Sequence, residues 1–153
     1  MIEKTCCVTG HREIPTNRLA YVELELRKAI MAAVDDGYTR FINGGAAGVD
    51  LLFAAIVAEL KEQSHRLYLE AALPYADRKK NKDQSFQSML ATCDSVKVIT
   101  ECYNRGCYFV RNRYMVDESS RIIAVYDGRE SGGTIYTMQY ACDSGKPVQV
   151  IKI

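Results

Sequence analysis

Tryptophan is absent, histidine occurs twice, proline occurs three times, and the formal charges nearly cancel at +1 over 153 residues. Without tryptophan or a strongly basic balance, a strand-long groove that stacks bases and tracks a phosphate backbone is disfavoured relative to a small-molecule pocket. With so little proline there is no low-complexity tract or proline-rich linker to divide the chain. No apolar run approaches the roughly 20 residues that cross a bilayer. The start, Met1-Ile2-Glu3-Lys4, lacks the apolar centre of an export signal. These absences give the expectation of a cytoplasmic protein with no membrane contact.

What is present is ordinary globular material. Apolar residues make up 48% and charged residues 25%, enough apolar surface for one domain, expected to span 1–153, to bury roughly 70% of what its unfolded chain exposes. The six cysteines are expected as free thiols in a reducing compartment. Cys6 and Cys7 sit in an apolar run and are explained by packing. Cys102 and Cys107 flank a short turn, and a zinc site would need two further ligands that no second pair supplies.

Short β-type runs alternate with longer helical patterns, which predicts βαβ units: a three-layer α/β fold with a mostly parallel sheet of about six strands and helices on both faces. Strands are predicted over 5–9, 39–43, 66–72, 95–99, 122–126 and 148–151. Between the first two, Leu19, Val22, Leu26, Ala29, Ile30 and Ala33 recur at helical spacing, ending before Gly37. Further helices are expected over 51–60, 85–92, 108–118 and 134–144, the last stopped by Gly145 and Pro147.

In such a sheet, ligands gather beyond the carboxyl ends of the strands, where loops lead into helix N-termini. Three unusual segments fall there: Thr9-Gly10-His11-Arg12, then Asn43-Gly44-Gly45-Ala46-Ala47-Gly48-Val49-Asp50, then Asp127-Gly128-Arg129-Glu130-Ser131-Gly132-Gly133-Thr134. Glycines let a ligand approach backbone amides, and a helix N-terminus carries about half a positive charge, so an anion such as phosphate is the natural guest. For any one turn, a tight connection and nothing more is an equally good account; the convergence of three favours a site. Neither the dinucleotide fingerprint nor the Walker phosphate loop fits these spacings, which disfavours a conventional dehydrogenase or P-loop NTPase.

Several side chains are candidates beside these turns. Arg111 and Arg113, two apart on one helix, face different directions, so one of them is expected to reach the crevice and clamp a phosphate. His11 titrates near neutrality and can act as acid or base. Asp50 can complement the dipole of its helix or take part in chemistry. Asp127 and Glu130 can hold a ribose hydroxyl or serve as a base, and Tyr126, Tyr136 and Tyr140 can stack on a base. The run Arg78-Lys79-Lys80-Asn81-Lys82 reads first as a solvated loop.

Taken together, Val8 to Arg12, Asn43 to Asp50 and the stretch from Arg111 through Ala141 resemble the SLOG superfamily, which groups Smf/DprA proteins with LOG phosphoribohydrolases, and most closely its YpsA-like branch of small bacterial proteins. The resemblance covers nearly the whole chain. It implies a Rossmann-like fold and a pocket for a nucleotide or nucleotide-derived ligand, of the AMP, NAD or ADP-ribose kind, built from Thr9, Gly10, His11, Arg12, Gly44, Gly45, Gly48, Asp50, Arg111, Asp127, Gly128, Ser131, Gly132, Gly133 and Thr134. It also implies self-association and a bacterial stress or cell-division role. In LOG enzymes an arginine matching Arg111 and a glutamate after the glycine-threonine turn cleave a nucleoside monophosphate; here Ile135 to Gln139 contains no carboxylate. Hydrolysis is therefore the alternative to ligand sensing, and a DprA-like single-stranded DNA-binding role is a second alternative.

Overall fold

The computed structural model describes residues 3–64 and 66–153. Six strands, β1 (Lys4–Thr9), β2 (Tyr38–Asn43), β3 (Tyr68–Tyr75), β4 (Ser95–Thr100), β5 (Arg121–Tyr126) and β6 (Val148–Lys152), form one sheet in the order β4-β3-β2-β1-β5-β6. Every pairing is parallel. The chain thus winds outward from β1 in one direction and then crosses back to build the other half.

Helices α1 (Leu19–Asp35), α2 (Val49–Ser64) and α3 (Gln84–Thr92) pack on one face, while α4 (Cys107–Glu118) and α5 (Gly133–Asp143) pack on the other. Alternation along the strands divides the core accordingly: Cys6, Val8 and Phe41 point to the first face, Cys7 and Ile42 to the second. Burial in these apolar surroundings pushes the Cys7 thiol up to about 12, as expected of cysteines that serve as packing. Of the stripe foreseen for the first helix, Val22, Leu26, Ala29, Ile30 and Ala33 are buried, whereas Leu19, at the first position of the helix, is exposed.

Two elements differ from their sequence-based bounds by more than one residue. β3 is displaced forward, starting at Tyr68 and running through Pro74 to Tyr75. Its register with β2 stops at Asn43 and Ala71, whereas that with β4 continues to Tyr75 and Thr100, so Pro74 lies where only one neighbouring strand remains. α2 is longer at both ends, from Val49 to Ser64. The Val49 amide is anchored on the His11 carbonyl, and Glu62 and Gln63, after Leu60, are exposed.

Because β1 leads to α1 on one face and β5 to α5 on the other, the loops part beyond the carboxyl ends of these adjacent strands. That parting is the crevice a doubly wound sheet offers to ligands.

Candidate functional site

A cavity of about 470 Å³ opens at this point, bordered by the β1 loop, the start of α2, one side of α4 and the start of α5. Its size lies within the roughly 300–1,000 Å³ typical of small-molecule sites. A second cavity of about 330 Å³ adjoins it on the side of β2 and β3. Arg12, Ala46, Tyr108 and Arg111 border both.

The glycines of the three turns do different work. Gly132 has φ of +116°, a conformation that L side chains rarely adopt, and it swings the chain into α5 with no side-chain cap. The amides of Gly133, Thr134 and Ile135 therefore find no acceptor among the described residues, and Gly132, Gly133 and Thr134 border the first cavity. The hydroxyls of Thr9 and Thr134, also on its wall, make no hydrogen bond among the described residues.

The second turn is otherwise disposed. The Gly44 amide donates to Asp50 Oδ2 at 2.9 Å, and the Gly45 amide donates to Asn43 Oδ1 at 2.8 Å. These donors are spent internally and are not open to an oxyanion, although Gly44 and Gly45 still border the second cavity. Gly10 and Gly48 are packing residues. A Cβ on Gly10 would lie 2.5 Å from the Val49 side chain, and one on Gly48 would lie 2.5 Å from the Arg12 carbonyl oxygen. The absence of both side chains lets the first two loops close on each other.

Arg111 is 6% exposed, on the inward side of α4. Its Nη1 donates to the carbonyls of Gly44 and Ala72, and its Nε donates to Asn112 Oδ1 at 2.8 Å. Its Nη2 has no acceptor among the described residues and is not enclosed. Burial lowers its affinity for the proton; Asp50 and Tyr108 oppose that, while Arg78 and Arg12 add to it. Arg113 faces elsewhere, donating to the Tyr136 hydroxyl at 2.7 Å, so Arg111 is the arginine of the pair that reaches the crevice. Neither arginine makes the salt bridge to Asp117 or Glu118 that a surface role would give.

Asp50 is also 6% exposed. Burial pushes its carboxyl up to about 6, against the opposing pull of Arg111 and of the Gly44 and Ala46 amides. Its Oδ1 makes no hydrogen bond among the described residues, and the residue borders the first cavity.

The third turn is braced by charge. Arg129 forks onto Asp127 with contacts of 3.0, 3.1 and 2.6 Å, and this hydrogen bonding to Arg129 holds the Asp127 carboxyl down at about 2. His11 Nε2 accepts the Asp127 amide at 3.0 Å while lying 3.1 Å from Asp127 Oδ1. The two contacts ask for opposite protonation states. Burial, reinforced by Arg129, holds the ring below its ordinary range against the pull of Asp127, and Arg129 already neutralises that carboxylate, so the amide bond to a neutral ring is the operative one. His11 thereby ties the β1 loop to the β5 loop, with one nitrogen occupied.

Of the remaining expected residues, Asp127, Gly128, Glu130 and Ser131 border neither cavity. Tyr126, Tyr136 and Tyr140 do not border them either; their hydroxyls engage Arg129, Arg113 and Asp117. The aromatic walls are instead Tyr108 and Phe109 in the first cavity and Tyr108 and Phe86 in the second, which the sequence reading passed over. Tyr108 and Met115 stand three before and four after Arg111, the spacing that shares a helix face, and that signal was available. Arg78, expected in a solvated run, instead holds its guanidinium 5.0 Å over the Phe86 ring and donates from Nη2 to the Gly45 carbonyl at 3.4 Å; Lys79 and Lys80 are exposed.

The chain has relatives among known proteins. The model of the YspA SLOG family (YpsA) matches residues 6–152. A UPF0398 protein of Bacillus pumilus (strain SAFR-032) is 26% identical over 151 residues, covering 90% of this chain and 81% of that protein. A UPF0398 protein of Bacillus thuringiensis (strain Al Hakam) is 27% identical over 131 residues, covering 82% and 71%. In three dimensions the chain is similar to the X-ray structure of TM1055, with a TM-score of 0.60 at 18% identity over 95% of this chain and 72% of that one; the likeness is one of fold.

Proposed function

We propose, for a chain that belongs to the YspA SLOG family, that the first cavity binds a phosphorylated, nucleotide-type ligand. One observation carries the reading: the unpartnered amides at the start of α5 border the same cavity as the half-engaged guanidinium of the buried Arg111. Helix-start amides and a guanidinium together supply the donors and the field that favour a phosphate. On the same wall Asp50 offers an acceptor, suited to a sugar hydroxyl, and Tyr108 and Phe109 offer aromatic surface for a base. Binding without turnover, as a sensor, is the leading form of this reading.

Thermal unfolding with AMP, GMP, NAD, ADP-ribose, cyclic nucleotides and a short single-stranded DNA tests it. A ligand at about 100 times its Kd adds about 2.7 kcal/mol, several degrees for a domain of this size. A shift with at least one nucleotide supports the reading. Silence across the panel, or a shift with DNA alone, overturns it.

A second reading, hydrolysis of the N-glycosidic bond of a nucleoside monophosphate, is favoured by Asp50. A buried carboxyl with a raised pKa beside an open cavity is suited to take a proton from water as that water adds to the anomeric carbon and the base departs. Release of free base from AMP or GMP by the wild type, abolished in Asp50→Asn, supports it; no release above background removes it.

A further inference from the structure

The second cavity is walled by three guanidiniums that make no ion pair among the described residues: Arg12, Arg78 and Arg111. One carboxylate, Asp83, shares the wall, and it already accepts the Phe86 amide at 3.0 Å as the cap of α3. Arg12 makes no hydrogen bond among the described residues and sits with its Cζ 5.9 Å from the centre of the Tyr108 ring; the Cζ of Arg111 is 5.4 Å from that same centre. Arg78 is held by the Phe86 face and one long hydrogen bond, and its Nε is buried without a partner. A buried donor left unpaired is costly, and the three like charges still repel although one nearby carboxylate, Asp50, attracts Arg111 and Arg12. The repulsion falls when an anion enters.

The position of this cluster defines the guest. Arg12, Tyr108 and Arg111 also border the first cavity, so the two spaces are consecutive compartments of one site. From this we infer that the second cavity is an anion subsite for a further phosphoryl group of the same ligand. The ligand class is then a nucleotide with two phosphoryl groups, a nucleoside bisphosphate or a diphosphate-linked molecule, and Arg78 is the residue that separates it from a mononucleotide. This inference rests on the nucleotide reading of the first cavity.

Calorimetric titration of AMP, ADP, ADP-ribose and adenosine 3′,5′-bisphosphate, with the matched guanine series, into wild type, Arg78→Met and Lys79→Met tests it. Methionine keeps apolar contact over Phe86 and removes the charge. Lys79→Met removes the same charge from the same turn at an exposed position outside both cavities. In the wild type and in Lys79→Met, at least one two-phosphate probe binds tenfold or more tighter than its mononucleotide. In Arg78→Met that advantage disappears while mononucleotide affinity stays within threefold. Equal affinities of one- and two-phosphate probes for the wild type, or an advantage that survives Arg78→Met, overturns the inference and leaves the mononucleotide reading standing. No binding by any probe overturns both.

Discussion

The Asp50 carboxylate takes the Gly44 amide at 2.9 Å, so the second glycine turn directs its donor to an acid of the same protein, and the open backbone amides beside the first cavity lie at α5 instead. That contact makes Asp50 at once a brace of the turn and a buried acid with one oxygen left over.

Its titration follows from burial. With the folded carboxyl at about 6 against an ordinary value of 3.8, the folded state holds the proton more tightly than the unfolded state. The stabilisation from protonated Asp50 is therefore fully present below about pH 4 and is lost as pH rises through about 6, a change of about 3 kcal/mol at roughly 1.4 kcal/mol per unit. Urea unfolding across pH 4–7 should show the difference between wild type and Asp50→Asn drifting by this order in that window. A constant difference would mean that Asp50 ionises normally.

Arg111→Met should cost about 3 kcal/mol. The change leaves the Gly44 and Ala72 carbonyls without their donor and Asp50 without its main counter-charge, and both are penalties of buried groups. Denaturation midpoints at unchanged m-value measure it; Arg111→Lys should recover part of the loss by restoring the charge without the fork.

Gly133→Ala and Gly132→Ala should part company. A Cβ on Gly133 meets only Asn112 Nδ2 at 3.9 Å, so stability should stay within about 0.5 kcal/mol of wild type, while the added methyl beside the open amides lowers phosphate-ligand affinity by tenfold or more. Gly132→Ala forces a side chain into φ of +116° and should lose about 1–3 kcal/mol. Unfolding curves and titrations on the same preparations separate the two effects.

Gly48→Ala should be the most damaging glycine change. It combines a φ of +79° with a Cβ 2.5 Å from the Arg12 carbonyl oxygen and 2.6 Å from that of His11. Backbone cannot yield as a side-chain tip does, so a loss above about 3 kcal/mol or failure to fold is expected. A variant within about 1 kcal/mol of wild type by urea unfolding would contradict the tight closure of the two loops.

The sequence by itself determined the elements and the end of the sheet at which the two cavities open. Alternation of apolar residues along strands and their helical spacing from Leu19 to Ala33 are local signals, and a parallel order obliges the loops after β1, β2 and β5 to emerge on one edge. Part of what was overlooked was also local: Asn43 taking the Gly45 amide spans two residues, and Tyr108 stands one helical turn before Arg111. Only the tertiary structure decided which donors stay open. Whether an amide or guanidinium is spent depends on partners distant in the chain: His11 on Asp127, 116 residues away, Arg111 on Gly44, 67 residues away, and Arg78 on the Gly45 carbonyl, 33 residues away. A hydrogen bond needs atoms within about 3 Å, and residue spacing along the chain does not encode that proximity until the sheet has assembled.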